Sequence, residues 1–102
     1  MRGNRRIIAE QFAEAIKSDK IEKIILFGSV ARGDDHADSD IDILIITDYW
    51  MDIEPLITEL VGNIILEEQE LVSAHVMSTE RFNQTREYSF LTNVLNEGVV
   101  LV

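Results

Sequence analysis

Apolar residues Ile7, Ile8, Phe12, Ala15 and Ile16 recur at helical spacing among good helix formers, which predicts an amphipathic helix over about 7–18 with one face on a core. Asn4 stands where an N-cap for it would. The run Glu22-Lys23-Ile24-Ile25-Leu26-Phe27, closed by Gly28-Ser29, fits a short strand buried on both faces better than a helix. A polar, turn-forming stretch from Gly33 to Ser39 leads into Asp40-Ile41-Asp42-Ile43-Leu44-Ile45-Ile46, whose β-branched content predicts a second buried strand.

From about Asp52 to Gln69 the positions Ile53, Leu56, Ile57, Leu60, Val61, Ile64 and Ile65 return at three- and four-residue steps, a long helix that tolerates Pro55 only in its first turn. Leu71 to Met77 reads as a third strand. Ser78-Thr79 with Glu80-Arg81 opens a final helix of about 79–97 that Gly98 closes, and Val99 to Val102 is a candidate edge strand. Strands alternate with helices without repeat, linker or low-complexity stretch. The expectation is one domain over 1–102, of α/β (α+β) class: a small mixed sheet of three to four strands with helices packed on it.

Length and composition narrow the function. A chain of 102 residues, 46% of them hydrophobic, supports one core and is no disordered segment. No apolar run approaches the ~20 residues that span a bilayer, and Ile7-Ile8-Ala9 runs into Glu10-Gln11 rather than a signal-peptide core, so a cytoplasmic protein with no membrane association is expected. The absence of cysteine removes disulfides, thiol nucleophiles and thiolate zinc sites, leaving side-chain oxygens and His36 and His75 as metal ligands. Nineteen acids against nine bases give a net charge of −10, which opposes direct nucleic-acid binding. The imbalance is local: no Lys or Arg lies between Gly33 and Glu80, whereas Arg2, Arg5 and Arg6 crowd the start. An acidic middle of this kind suits a basic partner or a bound cation.

Three features then fall in order within a short stretch. Gly28 after a strand lets a phosphate approach the backbone, and Ser29, opening a short helix, offers a hydroxyl and free N–H groups to an anion. Arg32 could add a planar charged fork to the same phosphates. At the next strand, Asp40 and Asp42 are two residues apart and project from one face, while Ile41 and Ile43 point into the core. Taken singly, Gly-Ser is an ordinary turn, Asp-x-Asp a solvated strand end and Arg32 a surface cation. Together they place two repelling carboxylates beside a phosphate cradle, an arrangement suited to Mg²⁺ and to nucleotidyl transfer from a nucleoside triphosphate. A calcium-loop reading fails, because the sixth and twelfth places counted from Asp38 hold Ile43 and Tyr49, and from Asp34 they hold Ser39 and Ile45.

Other polar and aromatic candidates are weaker. His36 reads as a solvated loop residue, and His75 as a hydrogen-bonded structural histidine inside a strand. Tyr49 and Trp50 could stack on a base but read better as an aromatic cap over the core.

The Gly28-Ser29 pair, ten intervening residues with Arg32-Gly33 among them, then Asp40-Ile41-Asp42 and an apolar strand, resembles the minimal nucleotidyltransferases of the polymerase-beta superfamily. The resemblance spans nearly the whole chain and implies a nucleotidyltransferase-like fold, with ATP held by Gly28, Ser29 and Arg32 and with Asp40 and Asp42 as catalytic Mg²⁺ ligands. It also implies a partner: small members pair as antitoxins with HEPN-type ribonuclease toxins and transfer AMP from ATP to a toxin tyrosine. Fuller members carry a third carboxylate on a neighbouring strand. Here Leu71 to Met77 has no acid; Glu70 is the nearest candidate, with Ser73 or His75 at the position itself. The resemblance therefore leaves two functions open, a protein adenylyltransferase and a catalytically weak or inactive antitoxin that binds nucleotide and acts by docking.

Overall fold

The computed structural model describes residues 3–102, so Arg2 of the basic cluster lies outside the described residues. The elements run α1 (Gly3–Ile16), β1 (Ile21–Phe27), α2 (Gly28–Arg32), β2 (Ile41–Thr47), α3 (Trp50–Glu68), β3 (Val72–Met77), α4 (Thr79–Gln84), α5 (Ser89–Glu97) and β4 (Val99–Val100). The sheet order is β3-β2-β1-β4, with β2 parallel to β3 and β1 antiparallel to both β2 and β4. The expected mixed sheet with helices packed on it is therefore present, and the candidate edge strand is real.

Alternation along the two central strands divides the core. Ile24, Leu26, Ile41, Ile43 and Ile45 pack with α1 and α3, whereas Ile25, Phe27, Leu44 and Ile46 pack with Phe82 of α4 and Leu91 and Val94 of α5. Strands covered on both sides need no polar face, which is why β1 and β2 read as continuous apolar runs. Asp42 is the exception on β2: it shares the face of Leu44 and Ile46 but sits at the strand's open end.

Several boundaries differ from the sequence expectation. Helix α1 starts at Gly3, so Asn4 lies inside its first turn rather than capping it. Its buried face is Ile8, Ala9, Phe12, Ala13 and Ile16, with Ile7 and Ala15 exposed. Helix α3 starts at Trp50, which puts Pro55 in the second turn, beyond the free N–H groups. The single last helix is two, because Thr85 ends α4 by returning its hydroxyl to the Arg81 carbonyl at 2.7 Å. A continuous helix, turning about 100° per residue, would have thrown Phe82 and Leu91 onto opposite sides; the break lets both enter one core. Gly98 does follow the last helix, but in extended conformation, where a Cβ would collide with the Val94 carbonyl and the Ile25 side chain. No described helix is long and apolar enough to cross a membrane.

Among the described residues one charged side chain is buried. Arg5, only 4% exposed, reaches from α1 to the loop before β2 and to the start of β3. Its Nη1 donates to Asp35 Oδ2 at 2.9 Å and to the His36 carbonyl at 2.6 Å, its Nη2 donates to the Ala37 carbonyl at 3.0 Å and to Glu70 Oε1 at 3.2 Å, and its Nε donates to Glu70 Oε2. Hydrogen bonding to Glu70 raises the guanidinium pKa against the opposing effect of burial, so the charge is held. Removing it takes the fork away from the Glu70 carboxylate and from the His36 and Ala37 carbonyls. Arg5→Ala should lower unfolding free energy by about 3 kcal/mol in urea titrations, and Arg5→Lys should recover only part, because an ammonium cannot reproduce the fork.

Candidate active site

The site forms where β1 ends and β2 begins. Phe27 is paired with Asp42 across the antiparallel ladder, and the chain then turns into α2 through Gly28 at φ +74°. A Cβ on Gly28 would collide with Asp42 Oδ2, so glycine serves here both for its backbone angle and for the space it leaves to the carboxylate. Ser29 follows in the first turn of α2. Gly33 closes that helix in left-handed conformation, its N–H donating to the Ser29 carbonyl at 2.9 Å.

Asp40 lies one residue before β2 and is exposed, and Asp42 is the strand's second residue and half-buried. Fully buried Ile41 and Ile43 hold the intervening chain from the other face, so the two acids emerge together. Burial pushes the Asp42 carboxyl pKa up; His75 opposes that shift, and the charge of Asp40 adds to it. His75 Nε2 stands 3.7 Å from Asp42 Oδ1 and 3.4 Å from Ser73 Oγ. His75 is thus a half-exposed member of the site rather than a structural histidine.

The neighbouring strand clarifies the missing acid. Ser73 of β3 is the register partner of Asp42, and His75 lies one step further along the same face. Glu70 does not serve, because the Arg5 guanidinium holds both of its carboxylate oxygens. Among the described residues no three histidine or carboxylate side chains converge as a metal cage. The donor set is two adjacent carboxylates.

Arg32 is turned to α5: its Nε donates to Asp34 Oδ2 at 3.1 Å and its Nη1 to Glu97 Oε1 at 3.0 Å. Together these residues border an open cleft of about 380 Å³, with Gly28, Ser29, Arg32 and Asp42 on one side and Phe90, Asn93 and Glu97 of α5 on the other. The α5 wall was not recognised from sequence. Its signal was the spacing of Phe90, Asn93 and Glu97 along one helical face, hidden by reading a single helix. Two candidates fall outside the cleft. His36 is exposed, its Nδ1 accepting from the Asp38 N–H at 3.4 Å. Tyr49 and Trp50 lie past the far end of β2, about 20 Å along the strand from Asp42.

Residues 10–102 match the family described as "Polymerase beta, Nucleotidyltransferase". The chain is 44% identical over 95 residues to the "Putative protein adenylyltransferase MJ0604" of Methanocaldococcus jannaschii, an alignment covering 90% of this chain and 92% of that protein. Its fold is similar to that of a toxin-antitoxin crystal structure with AMP-PNP, at a TM-score of 0.59 and 23% identity over 100% of this chain and 73% of the other. It is also similar to a chain in the structure of a tri-AMPylated Shewanella oneidensis HEPN toxin in complex with MNT antitoxin, at a TM-score of 0.55 and 19% identity over 96% of this chain and 71% of the other.

Two outcomes follow from the crowding around Asp42. A carboxylate whose folded pKa is raised above its unfolded value weakens the fold where it is ionised, and that cost vanishes as pH falls through the raised pKa. Asp42→Asn should therefore melt higher than the parent at pH 7, by on the order of a few °C, and the difference should shrink on acidification; a lower melting point at pH 7 would contradict it. Gly28→Ala should lose stability by about 1–2 kcal/mol for the left-handed backbone alone, measured by urea unfolding, and should move Asp42.

Proposed function

The chain belongs to the polymerase beta nucleotidyltransferase family, and on that footing we propose that it transfers AMP from ATP to a hydroxyl of a partner protein, as the antitoxin of a HEPN-type ribonuclease toxin. One observation carries this reading: the Asp42 carboxylate takes the space that a Gly28 side chain would need, which brings the Gly28-Ser29 turn and an acidic side chain together on one open cleft. The adenylyltransferase relative supports AMP as the group moved. The neighbouring toxin-antitoxin structures, one with AMP-PNP and one with a tri-AMPylated toxin, support the nucleotide and the kind of partner.

In the proposed reaction the acceptor oxygen attacks the α-phosphorus of ATP, a new P–O bond forms as the bond to pyrophosphate breaks, and the hydroxyl proton leaves to water. Gly28 and Ser29 hold the phosphates through backbone N–H and hydroxyl donors. Arg32, released from Glu97, pairs with them in turn. Asp40 and Asp42 would hold Mg²⁺, which suits a set of two carboxylates completed by phosphate oxygens and water. The bound ion supplies positive charge to offset that of the phosphates and the leaving pyrophosphate. Burial, with the charge of Asp40 adding to it, raises the Asp42 pKa, and a cation there would offset both effects.

A second reading is a catalytically weak or inactive antitoxin that binds nucleotide and neutralises its partner by docking. It is favoured by Ser73 standing opposite Asp42 and by the engagement of Glu70 with Arg5, which leave β3 without a carboxylate to take the acceptor's proton. The net charge of −10 and the exposed Leu56, Ile65 and Leu66 on α3 suit contact with a basic protein under either reading.

Incubation with labelled ATP, Mg²⁺ and a co-encoded HEPN-type toxin, followed by intact mass measurement, separates the two. The enzyme adds one or more AMP masses to the toxin and loses this in the Asp40→Ala/Asp42→Ala double variant, a drop of at least about a thousandfold for removal of charge-stabilising groups. A docking antitoxin gives no mass change while the complex survives in both proteins.

A further inference from the structure

Helix α5 contributes a wall to the cleft that the phosphate and carboxylate groups leave unexplained. Phe90, Asn93 and Glu97 line it from one helical face, held in place by the buried side chains of Leu91 and Val94. Glu97 is occupied by Arg32. Phe90 and Asn93 are not: Phe90 is 45% exposed, and the Asn93 amide has no hydrogen-bond partner among the described residues.

What sets Phe90 apart from the other exposed apolar side chains of the fold is that it lines the cleft. Phe90 is also fixed rather than loose. It meets Phe27 edge to face, with centroids 5.6 Å apart, and lies 6.3 Å from the His75 ring. A rigid, partly open aromatic next to a triphosphate cradle is a stacking platform, and an amide one turn along the same helix offers one donor and one acceptor to the edge of whatever stacks there. An adenine edge presents the complement, an exocyclic amine and a ring nitrogen, whereas the equivalent edge of guanine presents two acceptors and leaves the amide oxygen unmatched.

From this placement we infer that α5 reads the nucleobase, with Phe90 stacking on it and Asn93 selecting adenine over guanine. The inference rests on the nucleotide-transfer reading and deepens it, since nothing in the Gly28, Ser29 and Asp42 cluster distinguishes one base from another. Base selection then resides in α5, and the phosphates are held across the cleft by residues that read no base.

Isothermal titration with ATP, GTP and inorganic tripolyphosphate in Mg²⁺, on the parent chain and on Asn93→Ala and Phe90→Leu, tests it. The parent should bind ATP roughly tenfold tighter than GTP, as expected of one paired amide. Asn93→Ala should bring ATP down to the GTP value with tripolyphosphate unchanged, and Phe90→Leu should weaken both nucleotides several-fold, again sparing tripolyphosphate. Equal affinity for ATP and GTP in the parent, or an unchanged ratio in Asn93→Ala, overturns base reading while leaving nucleotide binding intact. Failure of all three ligands to bind the parent overturns both readings together.

Discussion

The buried guanidinium of Arg5 is the contact on which the geometry of the acidic pair depends. A cation so nearly excluded from water persists only when its donors are satisfied, and here they are satisfied by a carboxylate and two carbonyls of the loop before β2 and by Glu70 ahead of β3. The loop that delivers Asp40 and the strand that runs beside Asp42 are thereby fastened to one helix. Without this bond the chain from Asp34 to Ser39 would be a polar connection with little to hold it. With it, the two acids start from a fixed point.

The same contact explains a chemical peculiarity. Glu70 is the acid nearest the start of β3, and its commitment to Arg5 removes it from the cleft. Beside Asp42 stand a serine and a histidine, neither of which carries the fixed negative charge of a carboxylate. Glu70 is thus engaged in structural support and does not face the cleft. The Gly28 and Asp42 approach is unaffected, because it is built from β1 and β2 alone.

Much of this was legible in the residues. The apolar runs of β1 and β2 signalled strands covered on both sides, and Gly28-Ser29 with Asp40-Ile41-Asp42 pointed to the place where β1 ends and β2 begins, where Gly28, Ser29 and Asp42 border the cleft. What escaped notice depends on partners distant in the chain. Arg5 and Glu70 are separated by 65 residues, and no local pattern joins them. The turn between α4 and α5 contains neither Gly nor Pro, its break resting on the Thr85 hydroxyl and on the need to bring Phe82 and Leu91 into one core. Since the break went unseen, the phase of α5 was lost, and with it the wall of the cleft. His75 was visible as a strand residue, but its place beside Asp42 required the parallel register of β3.

Both core clusters underlie the cleft: Val30 seats α2 in one, while Phe27, the β2 face that carries Asp42, and α5 belong to the other. The loop carrying Asp40 is secured from the side of α1 and α3, and α5 is seated in the other cluster through Leu91 and Val94. Exposed residues on α5 can therefore change without disturbing the packing that holds the acidic loop. Substitutions on the exposed face of α5 thus reshape one wall of the cleft while the loop before β2 keeps its support from Arg5.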